Sequence, residues 1–389
     1  MEKGYLFIGN GTKPTLDEAE SLMPKKLSNV SLIPAKIAEE LGFTIFLGIN
    51  RNHPEMIECE DIKAQFYDQH TYRSIFAIKD NIIAYRNLCN FLSVHPEIEF
   101  LHCNTPIGGV VGRLAGKKYG IKKIVYTAHG FHFYKGAPLI NRTCFKWVEK
   151  YLARYTDAII TMNEEDFVSA SKFSLRNNGG IYKIPGVGVD VSSFQNLIIY
   201  VEIYREEFHI PSNAIVGIGT GDVVPRKNYK CAIKSIAECH NPLVHYIICG
   251  KGSQTKELMK YSEELGVESQ IHFAGFRKDI RQLLTFADFF LFCSNQEGLP
   301  RSMMEAMSAG LPCIVSKIRG HVDLIEDHKG GRLIPINDSK GFADAIVDMI
   351  KDQTLMEKYK AYNLERIKEY DVEVVKTKFR EIYQDIISK

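Results

Sequence analysis

The chain has 389 residues, 45% hydrophobic and 25% charged, with a net charge of +2. That length exceeds one comfortable hydrophobic core and argues for two domains of roughly 150–200 residues. No apolar run reaches the ~20 residues of a membrane span, the apolar stretch near Met1 is too short for a signal peptide, and the nine scattered cysteines form no Cys-x-x-Cys pair. These features exclude a membrane-spanning protein and a disulfide scaffold, argue against a structural zinc site, and point to reduced thiols in a cytoplasmic protein.

In chain order, the expected strands of the first half are Tyr5–Gly9, Phe43–Ile49, Glu99–Cys103, Lys123–His129, Asp157–Met162 and Tyr182–Pro185. Those of the second half are Ala214–Gly219, Val244–Gly250, Gln270–Ala274, Phe289–Cys293, Cys313–Ser316 and Arg332–Pro335. Short apolar runs alternating with helical-period segments predict parallel α/β architecture, in two sets and not one long sheet. The join is expected near Gly186-Val-Gly-Val-Asp-Val, giving a first domain over 1–187 and a second over 188–371. An amphipathic helix over about 372–389, with Phe379, Ile382, Tyr383 and Ile386 on one face, is expected to pack back on the first domain.

The chemistry concentrates where strands end. Glu297 and Glu305 stand eight residues apart in Asn295-Gln-Glu-Gly-Leu-Pro-Arg-Ser-Met-Met-Glu, after the buried-strand run Phe289-Phe-Leu-Phe-Cys-Ser. Open α/β sheets bind ligands at the carboxyl ends of their strands. Backbone N–H groups from Leu299 to Ser302, at the start of the next helix, suit an anion, and carboxylates beside them suit hydroxyls. Phosphate beside sugar suggests a nucleotide-sugar. Glu305 is expected about two turns into that helix. Lys227, in Asp222-Val-Val-Pro-Arg-Lys-Asn, follows the first strand of the second half and can neutralise charge on a departing diphosphate. His129 ends a first-half strand and precedes Gly130, a position that aims a side chain into a cleft; His132 lies three residues on. Gly9-Asn-Gly-Thr follows the first strand, so Gly9 and Gly11 allow close backbone approach to a ligand.

The run Glu297-Gly-Leu-Pro-Arg-Ser-Met-Met-Glu-Ala-Met-Ser-Ala-Gly-Leu-Pro resembles the nucleotide-sugar signature of family 4 glycosyltransferases, retaining enzymes of two Rossmann-like domains facing across a cleft, the GT-B fold. The resemblance extends over Thr127-Ala-His-Gly, Pro185-Gly-Val-Gly-Val-Asp, Pro225-Arg-Lys-Asn, Cys249-Gly-Lys-Gly and Phe273-Ala-Gly-Phe, roughly residues 98–340. It implies that Glu305 holds the ribose, Glu297 the transferred sugar, and Gly298, Leu299, Pro300, Arg301 and Ser302 the diphosphate or hexose. It also implies that His129 lies beside the reacting centre, and that the segment Gly275, Phe276 and Arg277 reads the base. Family members carry an Arg and a Lys in the loop of Lys227; here the Arg slot holds Asp222, with Arg226 beside the Lys as a substitute.

The segment Tyr126-Thr-Ala-His-Gly-Phe-His-Phe-Tyr-Lys-Gly resembles members that build capsular or exopolysaccharide repeat units. The implied activity is transfer of a sugar from a nucleoside-diphosphate donor, UDP-linked, to a saccharide acceptor, a polyprenyl-diphosphate-linked oligosaccharide, with no metal or other cofactor. Two alternatives remain: a GT-B nucleotide-sugar epimerase or hydrolase, and a non-catalytic nucleotide-sugar-binding partner in a polysaccharide assembly complex. Ten basic residues between Val110 and Arg154, with Glu149 the one acid, form a patch suited to anionic lipid headgroups at the inner face of the membrane. In that patch Arg142, Lys146, Lys150 and Arg154 recur at helical spacing. No recognised module accompanies the charge, so nucleic acid is not an expected partner.

Overall fold

A computed structural model describes residues 3–9, 27–50, 62–72, 74–195 and 197–389. The chain divides into two compact units: 1–187 with 373–389, and 188–372.

The first unit contains β1 (Lys3–Ile8), β2 (Phe43–Ile49), β3 (Ala64–Asp68), β4 (Ile98–Asn104), β5 (Lys123–Ala128), β6 (Ala158–Thr161) and β7 (Gly180–Lys183). They form one parallel sheet in the order β3-β2-β1-β4-β5-β6-β7. Their near-continuous apolar sequences, such as Ile-Val-Tyr-Thr-Ala in β5, are those of strands covered on both faces. The sequence reading missed β3, whose Ala-Gln-Phe-Tyr-Asp lies on the sheet edge and so lacks an apolar run. One face is covered by helices that include Ile78–Val94 and Pro106–Lys118. The latter lies close to the sheet because its glycines leave no side chain in the way. A Cβ on Gly109 would meet Tyr126 at 2.5 Å, one on Gly112 would meet the Cys103 sulfur at 2.4 Å, and one on Gly116 would meet Ile124 at 2.7 Å.

Helix Val372–Ser388 returns to this same unit and buries Val375, Phe379, Ile382, Tyr383 and Ile386. Its Tyr383 hydroxyl bonds to Tyr5 Oη (2.8 Å) and to His102 Nδ1 (2.6 Å), while His102 Nε2 meets Thr127 Oγ1 at 2.7 Å. Every polar atom of the buried imidazole therefore has a partner, as burial demands.

The second unit contains β8 (Ile215–Thr220), β9 (Val244–Cys249), β10 (Ile271–Gly275), β11 (Phe289–Phe292), β12 (Cys313–Ser316) and β13 (Gly331–Ile334), in the order β10-β9-β8-β11-β12-β13. The order reverses between β8 and β11, which pair through Phe289↔Gly217 and Phe290↔Ile218. That reversal leaves a crevice at the carboxyl ends of these two strands. Two apolar layers cover the faces: Met303, Met304, Ala306 and Met307 pack on one, and Ile233, Ile236, Phe342 and Ile346 on the other.

Candidate nucleotide-sugar site

The two loops that flank the reversal in the second unit are stitched together. Asn228, left-handed at φ 52°, follows the turn Pro225–Lys227 and donates from Nδ2 to Cys293 O (3.1 Å), Asn295 Oδ1 (3.2 Å) and Asn337 Oδ1 (2.9 Å). Asn295 N in turn donates to Arg226 O at 2.9 Å. Room for the first loop comes from the Gly250-Lys-Gly turn after β9. A Cβ on Gly250 would sit 1.9 Å from Gly221 O, and one on Gly252 would sit 2.1 Å from Val223 O.

These contacts bring Arg226 and Lys227 onto Glu297, 71 and 70 positions later in the sequence. Lys227 Nζ lies 2.9 Å from Glu297 Oε1, Arg226 Nη1 lies 2.7 Å from the same oxygen, and Ser294 Oγ donates to it at 2.7 Å. Arg226 also donates to Gln296 O (2.9 Å), and Arg319 Nε donates to Glu297 O (3.1 Å). Arg226 thus reaches the same carboxylate as Lys227. Burial raises the Glu297 pKa, but Lys227 and Arg226 outweigh it and hold the carboxyl below its ordinary range. Burial lowers the Lys227 pKa; Glu297 opposes that shift and Arg226 adds to it. The Lys227 ammonium also lies 4.4 Å from the Phe292 ring centroid.

Helix Arg301–Ser308 starts immediately after Pro300. Met303 N and Met304 N donate back to Pro300 O at 3.2 Å, whereas the amides that precede them have no carbonyl one turn back; Leu299, Arg301 and Ser302 can present an N–H and Pro300 cannot. Glu305 is the fifth residue of this helix, one turn in and not two, because the helix begins only at Arg301. Its Oε1 accepts from Arg301 Nε at 2.9 Å. Burial raises the Glu305 pKa against the pull of Arg301 and Arg281, the opposite direction from Glu297. Gly320, at φ +83°, packs on this loop so closely that a Cβ there would meet Gly298 O at 2.4 Å.

Gly275 ends β10 at φ +66° and Phe276 is 69% exposed. The Arg277 side chain is committed elsewhere: Nε and Nη2 reach Asp279 at 2.9 and 2.7 Å, and the guanidinium also pairs with Glu207. Of these three residues, Phe276 is the one whose side chain stands exposed.

In the first unit, His129 follows β5 and its Nε2 meets Oδ1 of Asn104, the buried last residue of β4, at 2.6 Å. Gly9 follows β1, donates to Gln69 Oε1 (3.1 Å) and accepts from Thr71 Oγ1 (2.5 Å). Gly9, His129 and the exposed His132 line one cavity of about 920 Å³. Gly11 lies outside the described residues.

The basic patch is smaller than its sequence suggests. Arg113 is fully buried, with its guanidinium 2.8 Å from Glu149 Oε2 and 4.0 Å above the Tyr126 ring centroid. The glycines that draw its helix onto the sheet carry it inside. Lys122 pairs with Glu99, and Lys117 lies 4.0 Å from the Tyr155 ring centroid. Arg142, Lys146, Lys150 and Arg154 do stand exposed.

Sequence reasoning overlooked Asn104, Arg319 and His321. Each follows or ends a strand next to an expected site strand, and that placement was the available signal. His321 is buried, with Nδ1 2.8 Å from Ser316 O and no partner at Nε2 among the described residues.

Two parallel Rossmann-like sheets, one with a charged ligand crevice at its reversal point, define the GT-B class of sugar-transfer proteins. Residues 201–366 match the family described as glycosyl transferases group 1, and residues 43–163 match the glycosyl transferase 4-like family. EpsD of Bacillus subtilis (strain 168), described as a glycosyltransferase, is 35% identical over 284 residues, covering 72% of this chain and 74% of that protein. The Escherichia coli UDP-Gal:alpha-D-GlcNAc-diphosphoundecaprenol alpha-1,3-galactosyltransferase is 27% identical, covering 94% and 96%. Among solved structures, Anabaena HepE in complex with UDP and glucose superposes with a TM-score of 0.77 at 20% identity, covering all of both chains. Sucrose-phosphate synthase from Thermosynechococcus elongatus gives 0.79 at 15%, also over both full chains. The chain belongs to the family 4 glycosyltransferases and is an enzyme of sugar transfer.

Proposed function

We propose that this enzyme moves a sugar from a UDP-linked donor to a saccharide acceptor with retention of anomeric configuration. The acceptor is a polyprenyl-diphosphate-linked oligosaccharide of capsule or exopolysaccharide synthesis. The observation that carries this reading is the convergence of Lys227 and Arg226 on Glu297 beside the amides that open helix Arg301–Ser308. In the reaction the bond from the anomeric carbon to the diphosphate oxygen breaks and one to an acceptor oxygen forms. The acceptor proton passes to the departing diphosphate. Lys227, Arg226 and the helix amides stabilise the charge that grows on that group, where preorganised electrostatics is most effective. Glu297 orients the transferred sugar, Glu305 accepts from the ribose hydroxyls, and His129 faces the reacting centre. Positive charge from the chain's own side chains makes a metal unnecessary in this scheme.

The similarity to the E. coli galactosyltransferase and to EpsD supports this acceptor and pathway class. Peripheral contact with the inner face of an anionic membrane fits the exposed Leu139, Ile140 and Trp147 beside Arg142, Lys146 and Lys150. Among the described residues no helix is long and apolar enough to cross a bilayer.

The test is a thermal-shift panel of nucleotide-sugars, followed by a transfer assay with α-GlcNAc-diphosphoundecaprenol and related lipid-linked sugars, with and without EDTA. We expect UDP-linked sugars to raise Tm by mass action, an α-linked product from an α-linked donor, and turnover unaffected by the chelator. Donor breakdown at the same rate with and without acceptor would instead identify a hydrolase, and nucleotide-sugar binding with neither outcome a non-catalytic partner.

A further inference from the structure

The second unit holds a buried nitrogen beside its charged cluster that the proposed reaction does not use. His321 follows Gly320, the residue pressed onto Gly298, and is fully buried. Its Nδ1 lies 2.8 Å from Ser316 O. A carbonyl oxygen only accepts, so Nδ1 carries the proton and Nε2 the lone pair. Nε2 meets no donor among the described residues. A buried acceptor left without a donor costs stability, and such an atom calls for a reason.

Its surroundings supply one. The imidazole and the Lys227 ammonium both lie against the Phe292 ring, with the His321 centroid 5.3 Å and Lys227 Nζ 4.4 Å from the centre of that ring. The charged groups that act on His321 are Glu297 and Lys227, and those that act on Lys227 are Glu297, Arg226 and Asp222. Burial and Arg226 disfavour the ammonium, while Glu297 and, less strongly, Asp222 favour it. The support from Glu297 is divided, because its Oε1 also accepts from Arg226 and Ser294. It is divided further once the carboxylate takes the hydroxyls of a bound sugar. A neutral imidazole with its proton fixed on the far nitrogen offers a negative end without adding an anion that would repel the diphosphate. Burial keeps it neutral, pushing its pKa down to about 4.

Resting on the reading that Lys227 stabilises the departing diphosphate, we propose that His321 is a positioning residue for sugar transfer. Held as the Nδ1–H tautomer by Ser316, it turns the lone pair of Nε2 toward the Lys227 ammonium. With the Phe292 ring it keeps that ammonium charged and in place while Glu297 serves the sugar.

Nitrogen-15 spectra of the imidazoles, with His321→Gln to assign the signal, read the tautomer directly. The proton should sit on Nδ1 and leave Nε2 bare between about pH 6 and 9; a proton on Nε2 overturns the proposal. Lys227 is followed separately through 13Cε-labelled lysine, assigned with Lys227→Met, in enzyme without donor. His321→Phe keeps a ring against Phe292 and removes the lone pair. It should lower the Lys227 titration midpoint by about half a pH unit, below the ~1–3 pH units of a full opposite charge. The alkaline limb of kcat should move toward neutral pH by the same amount, with donor KM nearly unchanged. His321→Gln, which can donate to Ser316 O and still offer an acceptor, should restore both. Should His321→Phe not fold, His321→Leu, equally without an acceptor, takes its place with the same expected shift. A role in packing alone would lower Tm and leave Lys227 titrating as in the wild type, and that result overturns the proposal. A shifted Lys227 midpoint with an unshifted kcat limb would instead count against Lys227 in the proposed function and leave its coupling to His321 standing.

Discussion

At the scale of single residues, two glutamates eight positions apart are driven in opposite directions by their surroundings. Glu297 faces two cations and is held below the ordinary carboxylate range, so its ion pairs stabilise the fold above that range and are lost only as pH falls through the depressed value. Glu305 is raised by burial, so its ionised form is the costly one and it takes up a proton above its ordinary 4.5. If Glu305 accepts from ribose hydroxyls, affinity for a UDP-sugar, whose esterified diphosphate carries no proton in this range, should fall on the acid side beginning above pH 4.5. Glu305→Gln should give weaker, pH-independent binding by calorimetry; a wild-type affinity flat down to pH 4.5 would rule the role out. Lys227 is 9% exposed at its side chain and Arg226 42%, so the charge of Lys227 is the less screened by water. Lys227→Ala is expected to lower kcat about 100-fold, as removal of a donor to developing negative charge does, with only a few-fold rise in donor KM. Arg226→Ala should cost less, and steady-state kinetics with the order reversed would move the burden to Arg226. The residue types were legible in the sequence because strand ends and helix starts fix where such groups stand. That all three donors converge on Glu297 Oε1 was not, since it depends on Asn228 tying two loops together across 65 positions or more.

At the scale of elements, strands covered on both faces announce themselves as apolar runs, and twelve were readable. The edge strand β3 was not, because an edge permits Gln and Asp in the run. Helix Pro106–Lys118 teaches a related lesson. Counting charge puts Arg113 in a basic patch suited to anionic headgroups, whereas Gly109, Gly112 and Gly116 let the helix sink onto the sheet and carry that arginine inside. Glycines at three- and four-residue spacing were the legible clue. The exposed basic residues from Arg142 to Arg154 keep their charge, and Leu139, Ile140 and Trp147 stand exposed with them. Each such cation is worth about 1 kcal/mol near an anionic bilayer, so R142Q/K146Q should weaken binding to phosphatidylglycerol-containing vesicles by about 30-fold at low salt. Equal sedimentation of wild type and variant with those vesicles would remove membrane contact from the account.

At the scale of the whole molecule, both units keep histidines neutral by burial. His102 is pushed down to about 3, and His272 and His321 to about 4. The unfolded chain binds these protons near pH 6.5, so stability falls as pH drops below that value, by up to about 1.4 kcal/mol per pH unit for each histidine. Urea unfolding should show a lower midpoint at pH 5.5 than at pH 7, with a shallower pH dependence in His102→Asn; midpoints independent of pH would show that these histidines do not control acid stability. Helix Val372–Ser388 has one further consequence, for the order of events during synthesis. The second unit is a single uninterrupted stretch, 188–372, and can close as it emerges from the ribosome. The first unit cannot: the hydroxyl that meets Tyr5 and His102 belongs to Tyr383, 378 residues after Tyr5. The half of the protein made first is therefore completed last, and until then its sheet carries an uncovered aromatic face that a chaperone or the nascent second unit must coexist with.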